Sequence, residues 1–340
     1  MVLHAVDDLA DALTATRQFL VPFEWDKWLR LALLSLFVAG GSGGGTPPNT
    51  FQFTTEAPTF GPGFDGAAGP IQSALQQNLG TIVALVVLGL LVALVVAWIA
   101  ATFEFVFLRA LRTDEVHVRR YVGELRGKGT RLFLFRLLFG LGIAVLVGGL
   151  ALLVVGPVLL GLSQQLLLAL IALAPVFFIV GLLAAIIYVF TTAFVAPIML
   201  LEDRGVLSAW GRFWQTFKTD WEQFLVFLLV GLFVMIVFGI LLGIVTAVLG
   251  IVVAIPFALL FFGILMAGGG FANPIWWIVL GVPLFLIILV VGAFVQVPVQ
   301  SYLRYWALLI LGDVDENLDL IPETRASVRG QEADEPSPGD

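Results

Sequence analysis

The chain has 340 residues, of which 60% are apolar and only 12% charged, with a formal net charge of −7 and a mean hydropathy of +1.05. Soluble domains carry roughly 25% charged residues, so a water-soluble fold is excluded and a membrane-embedded one is required. There is no cysteine and there are 2 histidines, His4 and His117, which excludes disulfides, thiolate chemistry and Cys or His metal clusters.

Three stretches, Leu79 to Thr102, Leu137 to Leu201 and Phe224 to Leu303, contain no charge. Each exceeds the ~20 apolar residues that cross a ~30 Å hydrocarbon core. The expected fold is an all-α, polytopic transmembrane helix bundle of about six spans. Residues 1–23 read as a cytoplasmic amphipathic segment, with Leu3, Val6, Leu9, Leu13 and Leu20 on one stripe. Acidic and basic residues from Asp7 to Lys27 interrupt any signal-peptide core, so this segment is expected to be retained.

The transmembrane domain is expected over 24–311. Its first span, Glu24 to Gly43, is most apolar only from Leu31 to Ala39, and a failure to cross would put the N-terminus outside. A Gly- and Pro-rich outer loop over 40–77 follows, whose Phe51, Phe53, Phe60 and Phe64 read either as exposed or as docked on the bilayer or the bundle. The second span (Leu79 to Leu111) leads through a basic inner loop, 112–130, to the third (Arg131 to Val155). The fourth (Leu166 to Leu201) and fifth (Phe224 to Leu249) precede the apolar stretch Ile251 to Ala267, which Pro256 and Gly268 to Gly270 interrupt. That stretch is expected to be an outer hairpin or re-entrant piece. As a seventh span it would place Arg304 and the tail outside. The sixth span is Ile275 to Leu311, and the acidic tail over 312–340 is expected to be disordered.

All 17 Lys and Arg residues fall on one side of this scheme, and none lies in Leu31 to Leu108, Leu137 to Asp203 or Trp221 to Leu303. The positive-inside rule makes that side, with both termini, cytoplasmic, in a cell membrane. The acidic balance and the use of only Lys27, Lys128 and Lys218 as lysines suit surfaces facing very high salt. A weak repeat relates Glu24-Trp25-Asp26-Lys27-Trp28-Leu29 to Asp220-Trp221-Glu222-Gln223-Phe224-Leu225, with Gly129 to Leu134 between them. Three parallel helical-hairpin repeats with cytoplasmic interfacial helices would account for all six spans.

Trp210, Phe213, Trp214, Phe217 and Trp221 recur every three or four residues and read as the lipid-facing stripe of an interfacial helix. An ordinary aromatic belt explains them as well. Arg119, Arg120, Arg126 and Lys128, with Arg131, suit anionic lipid headgroups, although topology determination alone accounts for such a cluster. Gly123 to Thr130 has the wrong spacing for a phosphate loop. Glu104 and Arg136 are intramembrane charges, expected to pair between adjacent helices or to snorkel. Gln296 and Gln300 lie one turn apart beside Pro298, and interhelical hydrogen bonding accounts for them. Gly239 and Gly243 make a small-xxx-small spacing that chance often produces. No catalytic, cofactor or metal residue emerges.

At Pro197-Ile198-Met199-Leu200-Leu201-Glu202-Asp203-Arg204-Gly205-Val206-Leu207-Ser208-Ala209-Trp210-Gly211-Arg212-Phe213 the chain resembles a broad group of multi-pass membrane proteins of unknown function, haloarchaeal members above all. More distantly it is similar to the membrane domain that accompanies some glycerophosphodiester phosphodiesterases. The resemblance implies a helical membrane domain with a span ending near Pro197 and an interfacial helix before the next, and it brings no catalytic residues. The expected role is a non-enzymatic scaffold or accessory protein acting on the lipid bilayer, anionic headgroups or membrane protein partners, without cofactor or nucleic acid. The alternative is a permease or channel-like carrier of a neutral or lipid-like solute.

Overall fold

A computed structural model describes residues 4–41, 79–159, 165–266 and 277–334, and among them every element is helical. Helices α1 (His4–Leu20) and α2 (Trp25–Gly41) come first. Helices α3 (Leu79–Thr113) and α4 (Val118–Leu159) follow as neighbours. Helix α5 (Gln165–Phe190) runs through a π turn (Thr191–Val195) into α6 (Ala196–Leu201). Helix α7 (Val206–Thr219) then leads to α8 (Trp221–Met266). A second π turn (Trp277–Gly281) opens α9 (Val282–Val314), and a 3-10 turn (Glu316–Leu318) connects it to α10 (Pro322–Asp334).

Among the described residues, 5 helical segments are long and apolar enough to cross a membrane: Leu79–Thr113, Val118–Leu150, Leu173–Leu201, Trp221–Ile264 and Val279–Val314. The chain is thus a multi-pass helical membrane protein. Its burial is one-sided. In α3 the buried residues run from Ala100 to Leu111 and in α9 from Ala293 to Gly312. Val83, Leu88 and Val92 of α3, Leu138 and Val145 of α4 and Phe285 and Leu286 of α9 are exposed. An apolar helix surface unburied by protein is suited to lipid. The packed core therefore sits at the end where the basic residues gather, and the charge-free halves project away from it.

Several expectations change. Helix α2 has 17 residues and is not one of the five long segments. It rises only about 25 Å. Leu31, Leu34, Ser35 and Val38 are buried in it, beside α3 and α9. The segment 112–130 is not a loop, because α4 begins at Val118 and carries Arg119, Arg120 and Arg126 as a helical extension. The same continuity puts Gly129, the start of the middle repeat unit, inside a helix, whereas Trp25 and Trp221 each begin one. Among the described residues of the stretch Ile251 to Ala267, which end at Met266, no hairpin forms. Helix α8 continues through Pro256 to Met266, losing one backbone bond that membrane helices tolerate. Its 46 residues rise about 69 Å, more than twice a hydrocarbon core. The outer loop at 40–77, from residue 42 onward, lies outside the described residues, as do Gly268 to Gly270 and the tail beyond 334.

In helix α1 the expected stripe divides. Val6 and Leu13 are exposed, Leu9 is half-buried and Leu20 buried, while Asp8, Asp11, Ala12, Ala15 and Phe19 are buried against α9 and α10. The reason is the tail, which is ordered through Asp334 rather than disordered. Arg329 of α10 reaches Asp313 at 2.6 Å and both Asp8 and Asp11 at 3.2 Å, and Arg325 reaches Asp313 at 3.2 Å and Asp319 at 3.3 Å. Val328 is fully buried beneath them. Burial, followed by the neighbouring Asp313 charge, pushes the Asp8 carboxyl up to about 8 against the pull of Arg329, while Arg329 is held above its usual range by its hydrogen bond to Asp313.

A raised carboxyl pKa favours the docked form at low pH. Between about pH 4 and pH 8 docked α10 retains a proton that the undocked state releases, so docking weakens as pH rises through that window. Protease protection of the 322–334 segment is expected to fall from pH 5 to pH 9, and Asp8→Asn is expected to flatten the profile; a pH-independent profile in the unmodified chain contradicts this. Close packing of α3 on α4 is equally testable. A Cβ at Gly129 would lie 2.6 Å from Thr102 Cα, whereas one at Gly127 meets nothing within 4 Å. Gly129→Ala is expected to cost about 1–3 kcal/mol in thermal unfolding, while Gly127→Ala is neutral or stabilising by up to about 1 kcal/mol.

Candidate functional site

The π turn is where the site begins, and Pro197 helps to shape it. Within the turn Ala196 N–H bonds Thr191 carbonyl, five residues back. The next bond of that pattern would come from residue 197 to Thr192 carbonyl, but proline has no N–H. Arg304 Nη1 of α9 donates to that carbonyl instead. Single π turns are frequent at functional sites, because the displaced register frees backbone acceptors.

Arg304 also donates through Nη2 to Glu104 Oε1 of α3. The other oxygen, Glu104 Oε2, accepts from Arg136 Nη2 of α4 at 3.1 Å, and the same nitrogen donates to Thr192 Oγ1 at 2.8 Å. Tyr188 of α5 lies under the Arg136 guanidinium, 4.9 Å from its ring centroid. Residues from α3, α4, α5, the π turn and α9 thus meet at one point. Glu104 is 1% and Arg304 5% exposed, so the ions have exchanged water for each other. An unpaired ion there would cost several kcal/mol.

Glu104 and Arg136 are thereby brought together, as adjacent helices allow. Arg304 is the member sequence reasoning missed. By its charge it groups with the basic residues of one side, although it lies inside the expected sixth span, and α9 continues apolar for two turns beyond it, from Tyr305 to Gly312. That placement, a charge well inside a helix beside Gln300 and Ser301, was the available signal.

Beside the cluster, α5 and α8 stand apart and leave a cleft of about 440 Å³ that α9 closes from behind. Leu182, Ala185, Ile186 and Val189 of α5 face Leu225, Leu228, Leu232 and Met235 of α8 across it. Thr192, Gln300 and Arg304 supply its polar lining, and Gln296 does not reach it. A second cavity of about 710 Å³ lies at the same end, between α1, the α3 terminus and the start of α10, with Arg112, Asp114 and Glu115 on its wall.

The aromatic stripe is largely internal, not lipid-facing. Phe213 is fully buried and stacks on Phe194 with centroids 5.4 Å apart and planes 7° apart. Phe224 and Phe227 extend the contact to Trp306, and Phe217 packs on Phe190. Trp210 is half-buried and donates from its indole to Thr191 Oγ1 at 3.2 Å. Trp214 and Trp221 remain about half exposed, at 49% and 51%. Helix α7 is held by Arg212, which meets Asp315 at 2.6 Å; the Asp315 carboxyl, although burial alone would raise it, is kept below its usual range by hydrogen bonds from Arg212 and Asn317. Of the basic candidates, Arg119, Arg120 and Arg126 are exposed, with Arg120 beside Glu124 at 3.1 Å. Lys128 is not free for headgroups, because it meets Asp203 at 2.9 Å and Leu200 carbonyl at 3.3 Å. Its hydrogen bond holds the Asp203 carboxyl below the usual range.

The five long apolar helices found among the described residues, gathered at one end beside a buried ionic cluster, define a multi-pass α-helical membrane protein. The chain belongs to a family of unknown function, DUF7544, whose family model matches residues 3–321. None of the curated proteins and none of the solved structures compared matches it.

Proposed function

We propose that the protein is a non-enzymatic membrane scaffold or accessory factor, acting from the cytoplasmic face of the cell membrane on lipids and partner proteins. The observation that carries this reading is the one-sidedness of the molecule. Among the described residues its ion pairs, its short amphipathic helices and its exposed Trp214, Trp221, Arg119 and Arg126 all gather at one end, and the opposite helix halves offer an uncharged, largely apolar surface. Ion pairs between α1 and α10 support a common side for both termini, which requires a sixth crossing, beginning with α2, beside the five long segments; the positive-inside rule makes that side cytoplasmic. The acidic composition is suited to a cytoplasm of high salt.

A carrier of a neutral or lipid-like solute is the second reading, favoured by the cleft beside Gln300 and Arg304. The naturally cysteine-free chain permits a direct test. With single cysteines at Arg119, Leu138 and Gln296 in proteoliposomes, an impermeant maleimide is expected to label Arg119→Cys from one side only and to leave Leu138→Cys and Gln296→Cys unlabelled. Labelling at Gln296→Cys would reveal an aqueous path along α9 and give the carrier precedence.

A further inference from the structure

The cluster at Glu104 is not neutral. Two guanidiniums, Arg136 and Arg304, face one carboxylate, and among the described residues no other charged side chain pairs with the three. The cluster therefore carries one positive charge in excess, in surroundings where an uncompensated ion costs several kcal/mol. An anion beside Arg304, which lines the neighbouring cleft, would balance it.

Its depth says where such an anion would come from. The charge-free part of α3, Leu79 to Thr102, rises about 35 Å, which covers a ~30 Å hydrocarbon core and brings Glu104 to the inner boundary. Arg136 and Arg304 likewise stand at the last charges before the apolar halves of α4 and α9. From this level the cleft between α5 and α8 runs outward, from Thr192 to Leu182, for about 15 Å, the depth of one leaflet. Leu182, Leu229 and Leu232 on its rim are exposed, so it opens sideways to the bilayer.

We infer that this cleft binds one anionic lipid of the inner leaflet, with an acyl chain between α5 and α8 and its phosphate at Arg304 and Gln300. Its volume of about 440 Å³ suits a chain, not a whole lipid, so the second chain stays in the bilayer. An apolar wall ending in a few convergent polar groups is the usual make-up of a ligand site. Arginine hydrogen-bonds a phosphate of either lipid, and its excess charge favours a headgroup of net negative charge over a zwitterionic one, whose own cation offsets the phosphate. This site is separate from the exposed basic face of the scaffold reading and stands or falls without it.

The test uses the full chain in nanodiscs of equal parts phosphatidylglycerol and phosphatidylcholine, with release from the bilayer and counting of retained lipid by native mass spectrometry. One phosphatidylglycerol per chain is expected to persist, in preference to phosphatidylcholine. Ala185→Trp, which fills the cleft from its rim without touching the ions, is expected to lower that retention about tenfold, while Leu138→Trp on the exposed face of α4 leaves it unchanged. Arg304→Gln, compared at matched folding by circular dichroism, is expected to remove the preference for phosphatidylglycerol; if it does not fold, Ala185→Trp alone decides. Equal retention of the two lipids, or equal retention by Ala185→Trp and the unmodified chain, overturns the site.

Discussion

Glu104 is a carboxylate enclosed by protein at the depth where the apolar run of α3 ends, and two guanidiniums converge on it from α4 and α9. Membrane helices gain little from hydrophobic contact with one another, because lipid tails are as apolar as leucine; packing and interhelical hydrogen bonds hold them together. In this chain the cluster, with Pro197 freeing the carbonyl that Arg304 takes, fixes the mutual register of α3, α4, the π turn and α9. Once that register is set, the aromatic side chains from Phe190 to Trp306 interlock around it, and α7 is drawn into the core through Phe213 and Arg212.

The same constraint divides the molecule. Below the cluster the helices are packed, bridged by Tyr305 to Leu111 carbonyl, and capped by α1 and α10. Above it they carry no charge and part from one another, which leaves the cleft between α5 and α8 as a sheltered groove at the junction. A lipid-facing bundle thus ends in a closely packed, charged platform, and the groove links the two.

Much of the architecture was legible in the sequence because charge-free runs of more than 20 residues leave few alternatives in a membrane. The intramembrane pair was legible for a similar reason, since Glu104 and Arg136 stand out against apolar neighbours. What escaped detection required knowledge of tertiary partners. The period of Trp210, Phe213 and Phe217 correctly marked an amphipathic helix, but periodicity does not say whether lipid or protein covers the apolar face. Arg304 passed as a topological charge because its partners lie on helices 112 and 200 residues away. The acidic tail read as disordered by composition, yet Arg329 finds Asp8 at a separation of 321 residues and Val328 finds the core. Pro256 suggested a break, whereas one lost backbone bond is not enough to end an apolar helix in lipid.

The central claim is that Glu104 holds two otherwise repelling guanidiniums together, and a double-mutant cycle on thermal unfolding in nanodiscs tests it most directly. Glu104→Gln is expected to cost about 3–5 kcal/mol, more than Arg136→Gln, and the double variant is expected to be more stable than Glu104→Gln alone, because removing one guanidinium relieves the repulsion that the first change exposes. Additive losses, with the double variant the least stable of the three, would show that the cluster does not organise the fold.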